Sequence, residues 1–258
     1  MTKLIFVPPS AKPPLIAPGD VPSGHPKAVD AYWAAGVLAS AMGQLHWDLI
    51  HLTRFHHAAY RTVADVDARL DAMAARLSPK PEVKSDPDEM EMSAIAHSRA
   101  RTAIDDGTAE NAAVAAFADE LFIVGLWALA EQYLGKALNV LPSANGSYRW
   151  DDINNAFLQD GIDLATLPGY NGANECRLVN NAIKHTGVVN DRLSQFPAFH
   201  GLKDKPIRRL SLDAQRYLNC VHHLLGSAME SAECVVQGVP NHRPFRTDLD
   251  GNPLPPQT

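Results

Sequence analysis

The sequence predicts an all-α protein: a helical bundle with an N-terminal helical hairpin and proline-rich ends. Three observations predict it. Long stretches are filled with Ala, Leu, Met and Arg, which lose little on entering a helix. Apolar residues recur at helical spacing, and no period-two alternation lasts long enough to build a sheet. Prolines gather at the two ends and in one linker, where they cannot interrupt the helices. With 258 residues, 46% of them hydrophobic and 20% charged, the chain can bury a sizeable core.

Residues 1–25 carry Pro8, Pro9, Pro13, Pro14, Pro18 and Pro22 and read as an extended arm. Residues 26–106 form an N-terminal helical region. Within it, Pro26 to Ser78 is one or two long helices whose apolar contacts include Trp33, Val37, Ala41 and Leu45. Pro79 to Pro87 is a linker, and Asp88 to Asp106 a further helix that Asp105-Asp106-Gly107 should stop. Residues 107–238 form the bundle. Its strongest helix is Thr108 to Leu141, which Thr108 should cap. From Phe117 to Leu138 it is apolar nearly all round, which predicts a central, buried position. Glu131 shares a face with Phe117, Leu121 and Val124, so it should have a cationic or donor partner. Trp150 to Gln159 is a short helix and Pro168 to Gly172 a turn. Asn174 to Gly187 is a helix, Phe196 to Leu210 is irregular, and Ser211 to Gly238 is the last helix, capped by Ser211 or Asp213. The tail over 239–258 is again proline-rich, and either end could strap onto a partner.

The net charge of −6 argues against a nucleic-acid binder that uses its whole surface. The charge is uneven, however. Thr62 to Leu134 holds 14 acidic and 6 basic residues, whereas Cys176 to Gln215 holds 7 basic and 3 acidic, a local net of +4. An anionic ligand is drawn to the second region; a mixed solvated surface has the same composition. Three cysteines and no CxxC pair predict free thiols in a reducing compartment. The run Leu121 to Leu129 is too short to span a bilayer, and the four-residue apolar run at the N-terminus is too short for a signal peptide, so a cytoplasmic protein is expected. No Walker-type loop, GxGxxG, GxSxG or HExxH motif is present.

Chemistry concentrates between Glu175 and His185. On a helix, Arg177, Asn181, Lys184 and His185 fall on one side, while Leu178, Val179, Ala182 and Ile183 can face the core. A guanidinium, a carboxamide, an ammonium and an imidazole together suit a phosphodiester. The cations neutralise phosphate oxygens, and histidine moves protons near neutral pH. The same residues could instead be structural: Arg177 could pair with Glu131, Asn181 could bond a loop carbonyl, and Lys184 and His185 sit well at any helix C-terminus. A second cluster, His46, Asp48, His51, His56 and His57, is expected to hold no metal. Five-residue steps rotate the histidines by about 140° each, so they do not converge along one helix. Of His222 and His223, one should be core and one exposed.

The apolar helix carrying Glu131, followed by Arg177, Asn180-Asn181 and Lys184-His185, resembles HEPN-type domains over roughly Ala112 to Gly238. Their signature is an Arg, a polar residue beside it (often Asn), and a His after four to six intervening residues. Here seven residues separate Arg177 from His185. Aligning Asn181 and His185 with the signature puts Asn180 where the Arg usually stands, so either Arg177 or Lys184 substitutes or catalysis has been lost. The resemblance implies a metal-independent endoribonuclease or RNA-binding protein of bacterial defence or toxin–antitoxin systems, with no cofactor. His185 would assist attack by a ribose 2′-hydroxyl or protonate the leaving oxygen. Arg177 and Lys184 would stabilise developing charge, Asn181 would position these groups, and Glu131 and Asn180 would support them. The resemblance also implies a homodimer with both His-bearing helices facing one cleft. The alternatives are a helical protein-interaction module and a nucleotide-sensing domain.

Overall fold

The computed structural model describes residues 28–77, 87–143 and 149–239. Among these residues the fold is all-α, with five helices: α1 (Ala28–Leu77), α2 (Pro87–Leu138), α3 (Trp150–Gln159), α4 (Tyr170–His185) and α5 (Ala214–Gln237). Short 3₁₀ turns occupy the connection between α4 and α5, and Val188 makes one isolated antiparallel bridge to Pro206. The expectations for the N-terminal arm, for the linker from Pro79 up to Asp86 and for the tail from 240 lie outside the described residues, whereas Pro87, expected in the linker, is the first residue of α2.

α1 and α2 are 50 and 52 residues long, about 75 Å each at 1.5 Å per residue. They run antiparallel. Tyr133 donates to Asp48, His56 and Tyr60 bond Asp119, Asn111 donates to the Val63 carbonyl and Asp67, and His97 bonds the Leu77 carbonyl. One end of this hairpin is built into the bundle. There Leu38, Ala41, Leu45 and Leu49 of α1, at helical spacing, meet Phe122, Ile123, Leu126, Trp127, Tyr133 and Leu134 of α2. α4 and α5 complete that core with Ala173, Cys176, Val179 and Ala182 and with Leu218, Val221, Leu225 and Ala228. At the other end the two helices pack mainly on each other among the described residues. Over 54–77 and 88–117 the buried apolar residues are Val63 and Ile104, and cross-helix hydrogen bonds from His56, His97 and Asn111 take the place of a core.

Three expectations are corrected here. α2 does not stop at Gly107. A Cβ on that glycine would lie 3.1 Å from a Leu70 methyl, so the residue permits close approach of α1 rather than ending a helix. Thr108 accordingly is no cap; its hydroxyl donates back to the Ile104 carbonyl within the helix. The apolar surface of α2 is not buried all round either, since Val114, Phe117 and Leu121 are exposed. The third correction is local: Tyr170, Asn171 and Gly172 belong to α4, whose preceding residue Gly169 is left-handed with φ of 81°. α5 begins after Asp213, whose side chain accepts from the Arg216 amide, and ends at Gly238, as the sequence predicts. As a whole, Asp88–Leu138 is long and apolar enough to cross a membrane by length and composition alone, where Leu121 to Leu129 is not. In this fold its Asp119 and Glu120 are committed to α1 and to Arg208.

Candidate functional site

α4 is built to show one face. Ala173, Cys176, Val179 and Ala182 are fully buried against α5 and α2, which turns Asn174, Arg177, Asn181, Lys184 and His185 outward. The helix ends where the amides of Thr186 and Gly187 both bond the Ala182 carbonyl, leaving Lys184 and His185 exposed in the last turn. The predicted stripe therefore exists, and Leu178, Val179, Ala182 and Ile183 lie on the core side.

Its two ends differ. Arg177 is half-buried and held in place. Its Nε and Nη2 donate to Asn174 Oδ1 at 3.1 and 2.9 Å, and its guanidinium lies 5.3 Å from the centroid of the Trp150 ring. Trp150 stacks on Tyr170 at 6.2 Å and meets Trp127 edge-on at 5.3 Å. Burial lowers the Arg177 pKa from its ordinary value; Arg192 nearby pushes the same way, against Tyr170, Asp151 and Glu131. A guanidinium still keeps its charge at neutral pH. At the other end Lys184 and His185 have no hydrogen-bond or ion-pair partner among the described residues. Arg177 and His185 are eight residues apart, about 12 Å along the axis. The stripe is thus a row of groups rather than one tight constellation.

Glu131 does not pair directly with Arg177. It is half-buried and accepts a 2.8 Å hydrogen bond from Trp127 Nε1, one turn earlier on its own helix. The buried carboxylates are elsewhere. Glu175 is buried and bonded by both Nη atoms of Arg216 and by the Tyr217 hydroxyl at 2.7 Å. Glu120 is buried with Arg208 at 2.8 Å. Glu175 could have been found, because it lies three and seven residues before Leu178 and Ala182 on the buried face. Asn180 is also inside. It is 1% exposed, its Oδ1 has no hydrogen-bond partner among the described residues, and its Nδ2 makes only a long 3.4 Å contact with Asn181. It cannot meet a ligand on the outer face.

The positive segment is partly neutralised, Lys203 by Asp191 at 2.6 Å and Arg208 by Glu120. Lys184, Arg192, Lys205 and Arg209 make no ion pair among the described residues. The three cysteines are free thiols.

The histidines hold a further correction. His222 and His223 are both half-buried, and His222 meets His46 across α5 and α1. Burial, with His46 and His223 beside it, pushes the His222 pKa down to about 3; burial alone lowers His46 and His223 from 6.5. These imidazoles are neutral in the fold and take a proton more readily when unfolded. Their contribution to stability is complete above about pH 6.5 and falls as the pH drops toward 3. In EDTA, the urea midpoint should fall between pH 6.5 and 5. Each group contributes at most about 1.4 kcal/mol per pH unit. The slope should flatten in His222→Gln; an unchanged slope would refute the assignment.

Compared with protein-family models, with curated proteins and with solved structures, the chain matches none.

Proposed function

We propose that the outer face of α4 binds single-stranded RNA. The observation that carries this reading is the Arg177 guanidinium, fixed by Asn174 beside the Trp150 and Tyr170 rings at one end of a row that continues to Lys184 and His185. Aromatic rings offer stacking surfaces to unpaired bases, and cations alongside take the phosphates. Arg192, close to Arg177 and exposed, adds charge at the aromatic end. A row about 12 Å long suits an extended strand better than one mononucleotide. Asn181 and His185 supply polar groups for a 2′-hydroxyl.

Cleavage is the second reading, and the exposure of His185 beside Lys184 favours it. In that reaction the 2′-hydroxyl loses its proton and attacks the adjacent phosphorus. The 5′-oxygen leaves and is protonated, and a cyclic phosphate remains. His185 would carry a proton in one of these transfers, with Lys184 against the developing charge and Asn181 as positioning residue. Arg177 is too far along the helix to share that phosphate within one copy, so a second copy facing the first would supply the other cation. The resemblance to HEPN-type domains supports that pairing, a cytoplasmic setting and a role in bacterial defence or toxin–antitoxin function.

Fluorescence anisotropy with labelled single-stranded RNA in EDTA tests the binding reading. Lys184→Ala with Arg192→Ala should weaken binding at least tenfold and reduce the salt slope by about 0.7 for each phosphate no longer neutralised. Far-UV circular dichroism should not change, because both side chains are exposed. Wild-type affinity in that double variant would refute the interface. RNA cleavage that disappears in folded His185→Ala would establish the nuclease. Binding to a mononucleotide but not to RNA would favour a nucleotide sensor instead.

A further inference from the structure

We propose that His46 of α1 and His222 of α5 form a two-imidazole clip for a borderline divalent transition metal, Zn²⁺ in the first instance. The site is separate from the α4 stripe and independent of the RNA reading.

The geometry comes first. The Nε2 atoms of the two rings are 3.4 Å apart, while the ring centroids are 5.4 Å apart and the planes are inclined by 55°. The nitrogen-bearing edges therefore face each other. A separation of 3.4 Å is long for an N–H···N hydrogen bond, whose donor–acceptor distance is about 2.7–3.2 Å. It agrees with the edge of a tetrahedron around zinc, because two nitrogens at about 2.0–2.1 Å and a tetrahedral angle lie roughly 3.3–3.4 Å apart. No rotamer change is needed to seat the ion.

Both rings are half-buried, and a neutral imidazole is the form that ligates. Imidazole is a good ligand for zinc, copper and nickel and a poor one for magnesium or calcium, which sets the class of ion. Met42, one turn before His46, reaches across to α5, with its methyl 3.8 Å from where a Cβ on Gly226 would stand, one turn beyond His222. The helices are thus in close contact on that side of the pair. Among the described residues, no group of three His, Cys, Asp or Glu side chains converges.

The consequence is mechanical. His46 and His222 are 176 residues apart in sequence, and one ion on both would tie the long hairpin to the last helix. A ligand that binds only the folded pair raises its stability.

The test uses the full chain, stripped with EDTA and titrated with ZnCl₂ by calorimetry. One ion per chain is expected, with a rise in melting temperature. His46→Gln and His222→Gln should each weaken binding at least tenfold and abolish the rise. CoCl₂ should give the visible absorption of a tetrahedral site in the wild type and not in the variants. X-ray absorption of the zinc-loaded wild type should count two imidazole ligands, a readout that does not depend on the variants folding. Absence of saturable binding, binding unchanged in both variants, or fewer than two imidazoles on the metal would each overturn the clip.

Discussion

Replacing Gly169 with alanine is expected to destabilise the protein by about 2–4 kcal/mol, with a matching fall in the urea midpoint at constant slope. Two effects combine. Gly169 has φ of 81°, and a residue with a side chain pays about 1 kcal/mol there. The larger effect is steric. An added Cβ would lie 2.2 Å from the Cys220 carbonyl oxygen and 3.1 Å from the His223 Cβ. A backbone carbonyl within α5 has no rotamer through which to withdraw, so the start of α4 must move away from α5. Overpacking of this kind adds about 1–3 kcal/mol. Tyr170 follows directly, so the displacement should also disturb the stack of Tyr170 on Trp150 and the seat of Arg177. Gly161→Ala is the control. It has nearly the same φ, 80°, but open space around it, and should cost only about 1 kcal/mol. Equal losses in the two variants would show that the close approach to Cys220 is unimportant.

Arg216→Met should cost about 3–5 kcal/mol, the usual result of stranding one member of a buried ion pair. Arg216 is more than a third exposed, but Glu175 is 3% exposed, and its two oxygens are shared between Arg216 and the Tyr217 hydroxyl. Loss of the guanidinium leaves a carboxylate inside the bundle with one neutral donor. The penalty therefore belongs to Glu175 rather than to the exposed end of the arginine. One check follows from that. Adding Glu175→Gln to Arg216→Met should recover part of the loss by removing the buried charge. A double variant no more stable than Arg216→Met would mean that the loss came from arginine packing on Tyr217, over whose ring it lies at 4.7 Å.

The helical hairpin, the boundaries of α3 and the caps of α5 were legible because each rests on local chemistry. Apolar spacing, Asp213 ahead of the last helix and Gly238 behind it act within a turn or two of themselves. Gly107 misleads for the same reason. A glycine after two aspartates has the local chemistry of a helix end, and only the neighbouring Leu70 of α1 explains why the helix continues there. The α4 stripe was legible as a face, since helical period alone puts Arg177, Asn181, Lys184 and His185 together.

Which of those groups meets solvent was a tertiary matter. The stacking of Trp150 on Tyr170 beside Arg177, the burial of Asn180, and the choice of Glu175 and Glu120 over Glu131 as buried carboxylates depend on which helix lies against which. The approach of His46 to His222 spans nearly the whole described chain, and no spacing rule reaches that far. By itself the sequence determined what is periodic and local: the helices, their principal stops and the polar face of α4. The tertiary structure decided every pairing between distant segments, because those follow from packing complementarity between whole helix faces rather than from any residue's own preference.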